Sequence, residues 1–128
     1  MGGFHAGNFF FRHPDLFDTV IALSGLYHAD YFFHAYMDDL VYANSPVHFL
    51  QNMPEGHPYL DLYRSSQIIL CVGQGAWEED LVSGTRRMDA LLREKNIPAW
   101  VHYWGYDVSH DWCWWQKQLP YFFGHLSL

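Results

Sequence analysis

Positive charge is scarce in this sequence. Seven lysines and arginines stand against fourteen aspartates and glutamates in 128 residues, a formal charge of −7. The seven are scattered, so no basic patch tracks a phosphate backbone, and nucleic acid is excluded as a partner. Cysteine is nearly absent as well: Cys71 and Cys113 stand alone inside apolar or aromatic runs, without CxxC spacing. They read as two buried thiols of a reducing compartment, not as a disulfide frame. No run approaches the roughly eighteen apolar residues of a membrane-spanning helix, and the N-terminus lacks the charged and apolar regions of a secretory signal. The expectation is a soluble, cytoplasmic protein with no membrane partner. Internal repeats and low-complexity tracts are missing. So are the HExxH and HxH pairings of metal sites among the nine histidines. His28, Asp30 and His34 would need a specific bend to converge on an ion, so no metal is expected.

What the chain has in quantity is apolar surface. Half of its residues are hydrophobic, 20% are aromatic and only 16% are charged, the reverse of a disordered segment. A chain of this length buries a real core as a single domain. The aromatic load exceeds what one small core needs, and surplus apolar surface marks an interface. Self-association, or pairing with a complementary chain, is therefore expected.

Along the chain, small residues early and large ones late predict a helix from about residue 3 to 13, stopped before Pro14. Thr19–Gly25 and Gln67–Gly73 are short continuous apolar runs, the pattern of parallel strands buried on both faces. Between them, about 26–63, aromatics interleave with Asn44, Pro46, Pro54, Gly56 and Pro58. This predicts an irregular, cap-like insertion of loops and short helices, one of them after Ser45. Its aromatic residues fit either a core or the lining of a sugar or aryl pocket. A helix follows over Leu81–Lys95, with Leu81, Met88, Leu91 and Leu92 as core candidates. A third strand around Trp100–Gly105 and an aromatic helix over Trp112–Leu126 complete an alternating order. That order is an α/β fold: about three parallel strands with helices on both faces.

Open α/β sheets place their chemistry at the C-terminal ends of the strands, and three segments stand out in that light. Met1-Gly2-Gly3 runs straight into a helix, as the residues after a Gly-x-Ser-x-Gly nucleophile elbow do. The serine would stand one place before Met1, and Met1 would give its backbone N–H to the oxyanion hole; the alternative is an ordinary start followed by two flexible glycines. Gly73-Gln74-Gly75-Ala76-Trp77-Glu78-Glu79-Asp80 follows a strand, and Gly75 to Glu78 has the spacing of an acid that orients a catalytic histidine. Glu78 is the first choice, with Glu79 and Asp80 as alternates; the same acids also suit a helix N-terminus. Gly105-Tyr106-Asp107-Val108-Ser109-His110 follows the last strand, where a general base belongs, after the acid in chain order.

Taken together, Met1 to Pro14, then Val72-Gly73-Gln74-Gly75-Ala76-Trp77-Glu78, then Trp104-Gly105-Tyr106-Asp107-Val108-Ser109-His110-Asp111-Trp112 with Trp114-Trp115, resemble one esterase family. That family groups esterase D-like, feruloyl esterase-like and mycolyltransferase-like α/β-hydrolases, and the resemblance runs through the whole chain in order. It implies the C-terminal half of an α/β-hydrolase fold, starting just after the nucleophile serine. It also implies hydrolysis or transfer of small acyl esters through a serine acyl-enzyme, without metal or organic cofactor. His110 would be the general base, Glu78 the triad acid and Met1 the oxyanion donor. The sequence departs from the family in holding no elbow serine, since neither Ser24 nor Ser109 lies on a strand-to-helix turn. A complementary N-terminal half, or a second copy, is the partner this departure implies. A non-catalytic association module derived from the same fold is the alternative.

Overall fold

A computed structural model of the chain describes residues 1–127. Ile68-Ile69-Leu70-Cys71-Val72 lacks the alternation of a half-exposed strand, and the reason is its position. It lies in β2 (Gln67–Val72), the centre of a sheet, with a parallel neighbour on each side and every residue after Gln67 buried. β1 (Thr19–Leu23) pairs from Thr19 opposite Gln67 to Leu23 opposite Cys71. β3 (Trp100–Tyr103) pairs from Trp100 opposite Ile69 to Tyr103 opposite Val72. Parallel neighbours need long crossovers. α1 (Gly2–Arg12) precedes β1. Four short helices connect β1 to β2: α2 (Asp30–Phe33), α3 (Asp39–Ala43), α4 (Pro46–Gln51) and α5 (Pro58–Arg64). α6 (Glu79–Glu94) connects β2 to β3, and α7 (Trp112–Phe123) follows β3.

The two sheet faces carry separate cores. On one, Val20, Ala22, Ile68 and Leu70 meet Phe10 and Phe11 of α1, Val47 and Leu50 of α4, Leu60 and Tyr63 of α5, and Met88, Leu91 and Leu92 of α6. The Tyr63 hydroxyl, the polar end of this packing, donates to the Phe11 carbonyl. On the other face Ile69 and Cys71 pack on Phe122 of α7, flanked by Ile21, Leu23, Trp100 and Trp104. Leu81, Met88, Leu91 and Leu92 are all buried, as the helical spacing predicts.

Local chemistry explains the helix starts. The Asp38 carboxylate accepts the Val41 N–H at 2.8 Å and starts α3. The Asp111 carboxylate accepts the Trp112 N–H at 2.6 Å and starts α7. Pro46, with its fixed φ, opens α4 after Ser45. The Ser45 hydroxyl does not cap that helix. It accepts the Ala29 N–H at 2.8 Å and pairs with His48 Nδ1 at 2.6 Å, tying α2 to α4.

Three expectations from sequence need correction. β1 is not buried on both faces: Val20 and Ala22 are buried while Thr19, Ile21 and Leu23 are partly exposed, because β1 is an edge strand only partly covered by α7. Cys113 is exposed although it stands between tryptophans, because α7 turns Gln118 and Phe122 inward and leaves Cys113 on its outer surface. Cys71 is buried, and desolvation pushes its thiol up to about 12. The edges of most elements also shift by a few residues. β1 ends at Leu23 and β3 at Tyr103, while α7 ends at Phe123, short of Leu126. Among the described residues, no helix is long and apolar enough to cross a membrane.

Candidate active site

The C-terminal ends of β1, β2 and β3 lie side by side, and the loops leaving them pack against one another. The β2–α6 loop is zipped to the β3–α7 loop through main-chain groups. Gln74 N–H donates to the Gly105 carbonyl at 3.1 Å, Gly75 N–H to the Val108 carbonyl at 2.8 Å, and His110 N–H to the Ala76 carbonyl at 2.9 Å. The Gln74 side chain adds a bond to the Trp104 carbonyl at 2.7 Å. Gly75 is required here by close approach: a Cβ on it would lie 2.7 Å from the Val108 carbonyl oxygen and 2.8 Å from that of Tyr106. Two segments more than thirty residues apart are thereby held in register, one carrying Glu78 and the other His110.

Glu78 is fully buried, and its carboxylate divides its work between two partners. Oε1 accepts the Ser24 hydroxyl at 2.7 Å. Oε2 faces His110 Nδ1 at 3.6 Å, an ion-pair distance longer than a hydrogen bond. Both Oε2 and Nδ1 are buried without a hydrogen-bond partner, so the two unsatisfied atoms of the site are turned toward each other. Burial pushes the Glu78 carboxyl above the usual carboxylate range, while the Ser24 hydroxyl, His110 and the Gly73 backbone favour its ionised form and pull it back. Glu79 and Asp80 are exposed on the first turn of α6 and make no ion pair with His110 among the described residues.

The His110 imidazole stands edge-on to the Trp115 indole, with centroids 4.7 Å apart and planes at 86°. It lines two adjoining cavities. One, of about 430 Å³, is walled by Phe4, Leu26, Tyr31, Phe32 and Trp77, with Glu79 and Asp80 at its side. The other, of about 390 Å³, lies among Gly2, Gly3, Leu23, Trp112 and Trp115. Met1, Ser24 and His110 border both. Met1 sits at the N-terminus of α1, where helix N–H groups and the dipole favour negative charge. α1 comes this close to β1 because residue 3 is glycine; a Cβ there would collide with the Leu23 carbonyl and lie 2.8 Å from the Gly25 Cα.

Two residues of the site carry backbone strain. Ser24 has φ 51 and Trp77 has φ 68, in the left-handed region that disfavours a side chain. Trp77 lies within a turn closed by Glu78 N–H on the Gly75 carbonyl, and its indole is 82% exposed over the larger cavity. In sequence, Ser24 lacks the strand-to-helix turn of a nucleophile, and nothing local gives Trp115 a role. The only signal for Ser24 was its place at the C-terminal end of an apolar strand. His28 and Asp30 are 4.0 Å apart and Asp30 also faces His48 at 3.6 Å, but no group of three histidine, cysteine or acidic side chains among the described residues is placed to hold a metal ion.

No protein-family model and no curated protein matches this sequence. Solved structures do. A ferulic acid esterase superimposes with a TM-score of 0.71 at 24% identity, over 94% of this chain and 46% of its own. The S-formylglutathione hydrolase FrmB of Staphylococcus aureus superimposes with a TM-score of 0.66 at 17% identity, over 94% and 45%. FphF, a fluorophosphonate-binding serine hydrolase of Staphylococcus aureus, gives 0.67 at 14%, over 93% and 48%. The chain thus spans about half the length of these structures, and at these identities the likeness establishes the fold, that of half an α/β-hydrolase.

Proposed function

We propose that this chain carries the general base and the acid of a serine-esterase site and serves the hydrolysis of small carboxylic esters through an acyl-enzyme. The observation behind this reading is the pair of buried, unpartnered atoms, His110 Nδ1 and Glu78 Oε2, held 3.6 Å apart at the strand ends while the imidazole lines two cavities. In this role Glu78 holds the imidazole in one tautomer and stabilises the imidazolium. His110 takes the proton of a serine hydroxyl as that oxygen attacks the ester carbonyl, then returns it to the departing alcohol. A water repeats the sequence on the acyl-enzyme and frees the acid. The serine is presented from a Gly-x-Ser segment ahead of Met1, at the mouth that Met1, Ser24 and His110 share, and the Met1 backbone N–H faces the developing oxyanion. Residues 26–63 act as the substrate-facing cap, with Tyr31 and Phe32 at the larger cavity.

The partner in this reading is the rest of an α/β-hydrolase sheet. β1 has a free edge, and Phe9, Leu16 and Phe17 are exposed beside it. One observation favours a second reading, a non-catalytic binding module. Among the described residues no side-chain hydroxyl hydrogen-bonds to His110, and that of Ser24 is engaged with Glu78. Hydrolysis of p-nitrophenyl acetate and butyrate by the purified chain, alone and with a Gly-x-Ser segment restored ahead of Met1, separates the two. The esterase reading expects turnover that falls by about 10²-fold or more in His110→Ala. Turnover no greater than that of His110→Ala in both forms favours the binding module.

A further inference from the structure

The catalytic reading uses His110 and Glu78 and leaves Ser24 and Trp115 without a role, yet Ser24 is bonded to the Glu78 carboxylate and Trp115 to Ser24. Ser24 is 7% exposed, sits directly after β1 and adopts φ 51 although a glycine follows it. Its N–H donates to the Cys71 carbonyl at 2.8 Å, fixing it to the end of the central strand. Its hydroxyl donates to Glu78 Oε1 at 2.7 Å and accepts the Trp115 indole N–H at 3.1 Å. The hydroxyl has one proton, so with the indole N–H as donor that proton belongs to Glu78. The same indole ring stands against the His110 imidazole. Trp115 therefore touches His110 directly and reaches Glu78 through the Ser24 hydroxyl.

The geometry points to Ser24 and Trp115 as positioning residues: a donor chain from the Trp115 indole through the Ser24 hydroxyl occupies Oε1 of Glu78 and leaves Oε2 as the oxygen that faces His110. The chain answers a physical problem, because a buried carboxylate with neither oxygen hydrogen-bonded both rotates and takes up a proton. A hydrogen bond from Ser24 favours the charged form and pins the torsion, and the indole N–H makes the hydroxyl a better donor. The left-handed backbone of Ser24 is the cost of aiming its hydroxyl at a group 54 residues away in sequence.

The test reads the protonation of the Glu78–His110 pair directly and needs no turnover, so it is independent of whether the isolated chain hydrolyses esters. The Glu78 side-chain carboxyl resonance of the full chain is followed by NMR against pH. Removing the Ser24 hydroxyl penalises the ionised Glu78 carboxylate more than the protonated carboxyl. The Glu78 titration therefore moves to higher pH. A donor to a charged group sets the scale at about one pH unit in Ser24→Ala. Ser24→Gly, which suits the left-handed backbone, gives the same displacement in a chain whose fold is not strained by the change. Trp115→Phe keeps the ring and loses the N–H, giving a smaller displacement of the same sign. The other titratable groups near the pair are Met1, Glu79 and Asp80 at the cavity, Asp111 beside His110 and the Cys71 thiol; they are identical in all variants. Midpoints that stay within about 0.2 pH unit of the unsubstituted chain in Ser24→Ala and Ser24→Gly, or that move down, overturn the proposal.

Discussion

Glu78 shows how much one side chain is asked to do when a charge is placed inside a small fold. Its carboxyl is held above the ordinary range chiefly by burial, so the folded chain binds that proton more tightly than the unfolded chain. The stability this group contributes is therefore complete at low pH and is lost as pH rises through its folded pKa. Glu78→Gln has no such titration. Urea unfolding from about pH 4 to about pH 8 is expected to show the variant gaining on the parent chain as pH rises through the folded pKa of Glu78, and levelling off above it. A stability difference that is flat across that range would mean that Glu78 is no harder to ionise in the folded chain than in the unfolded one. At this scale the sequence was readable in part. The G-x-x-E spacing singled out Glu78 and the loop position singled out His110, but nothing local distinguished Glu78 from Glu79 and Asp80. Burial separates them, and burial depends on which residue follows the strained turn at Trp77.

At the scale of elements, the site depends on two loops being pressed together. Gly75→Ala places a methyl within 3 Å of two backbone carbonyls, Val108 and Tyr106, which have no rotamer with which to move aside. The expected outcome is a loss of roughly 1–3 kcal/mol, as for other overpacked positions, with His110 displaced from Glu78. Gly56→Ala, where a Cβ meets nothing within 4 Å, should stay within about 0.5 kcal/mol of the parent chain. Thermal unfolding of the two variants side by side checks this. The βα order and the strand cores were legible because apolar runs and helical spacing report burial directly. The face that α7 buries was not. Its sequence is apolar nearly all round, so periodicity gave no phase; packing of Phe122 on Ile69 and Cys71 chose the phase and left Cys113 outside.

For the molecule as a whole, the sheet has a free edge at β1, with Met1, Phe9, Leu16 and Phe17 exposed on that side. Exposed edges and apolar surface promote association. Sedimentation velocity at increasing concentration is expected to show self-association in the micromolar range, suppressed when a complementary half-sheet is supplied. A stable monomer at micromolar concentration would refute the association. By itself the sequence determined the alternation of helices and strands, the parallel sheet, the short helices between β1 and β2 and the two loops worth inspecting. Those features follow from patterns within about twenty residues. The tertiary structure alone decided that Oε2 of Glu78 looks at His110, that Trp115 holds Ser24 and Ser24 holds Oε1, and that β1 lies at an edge. These are contacts across 32, 54 and 91 residues, created when the strand ends are brought side by side, and no local period encodes them.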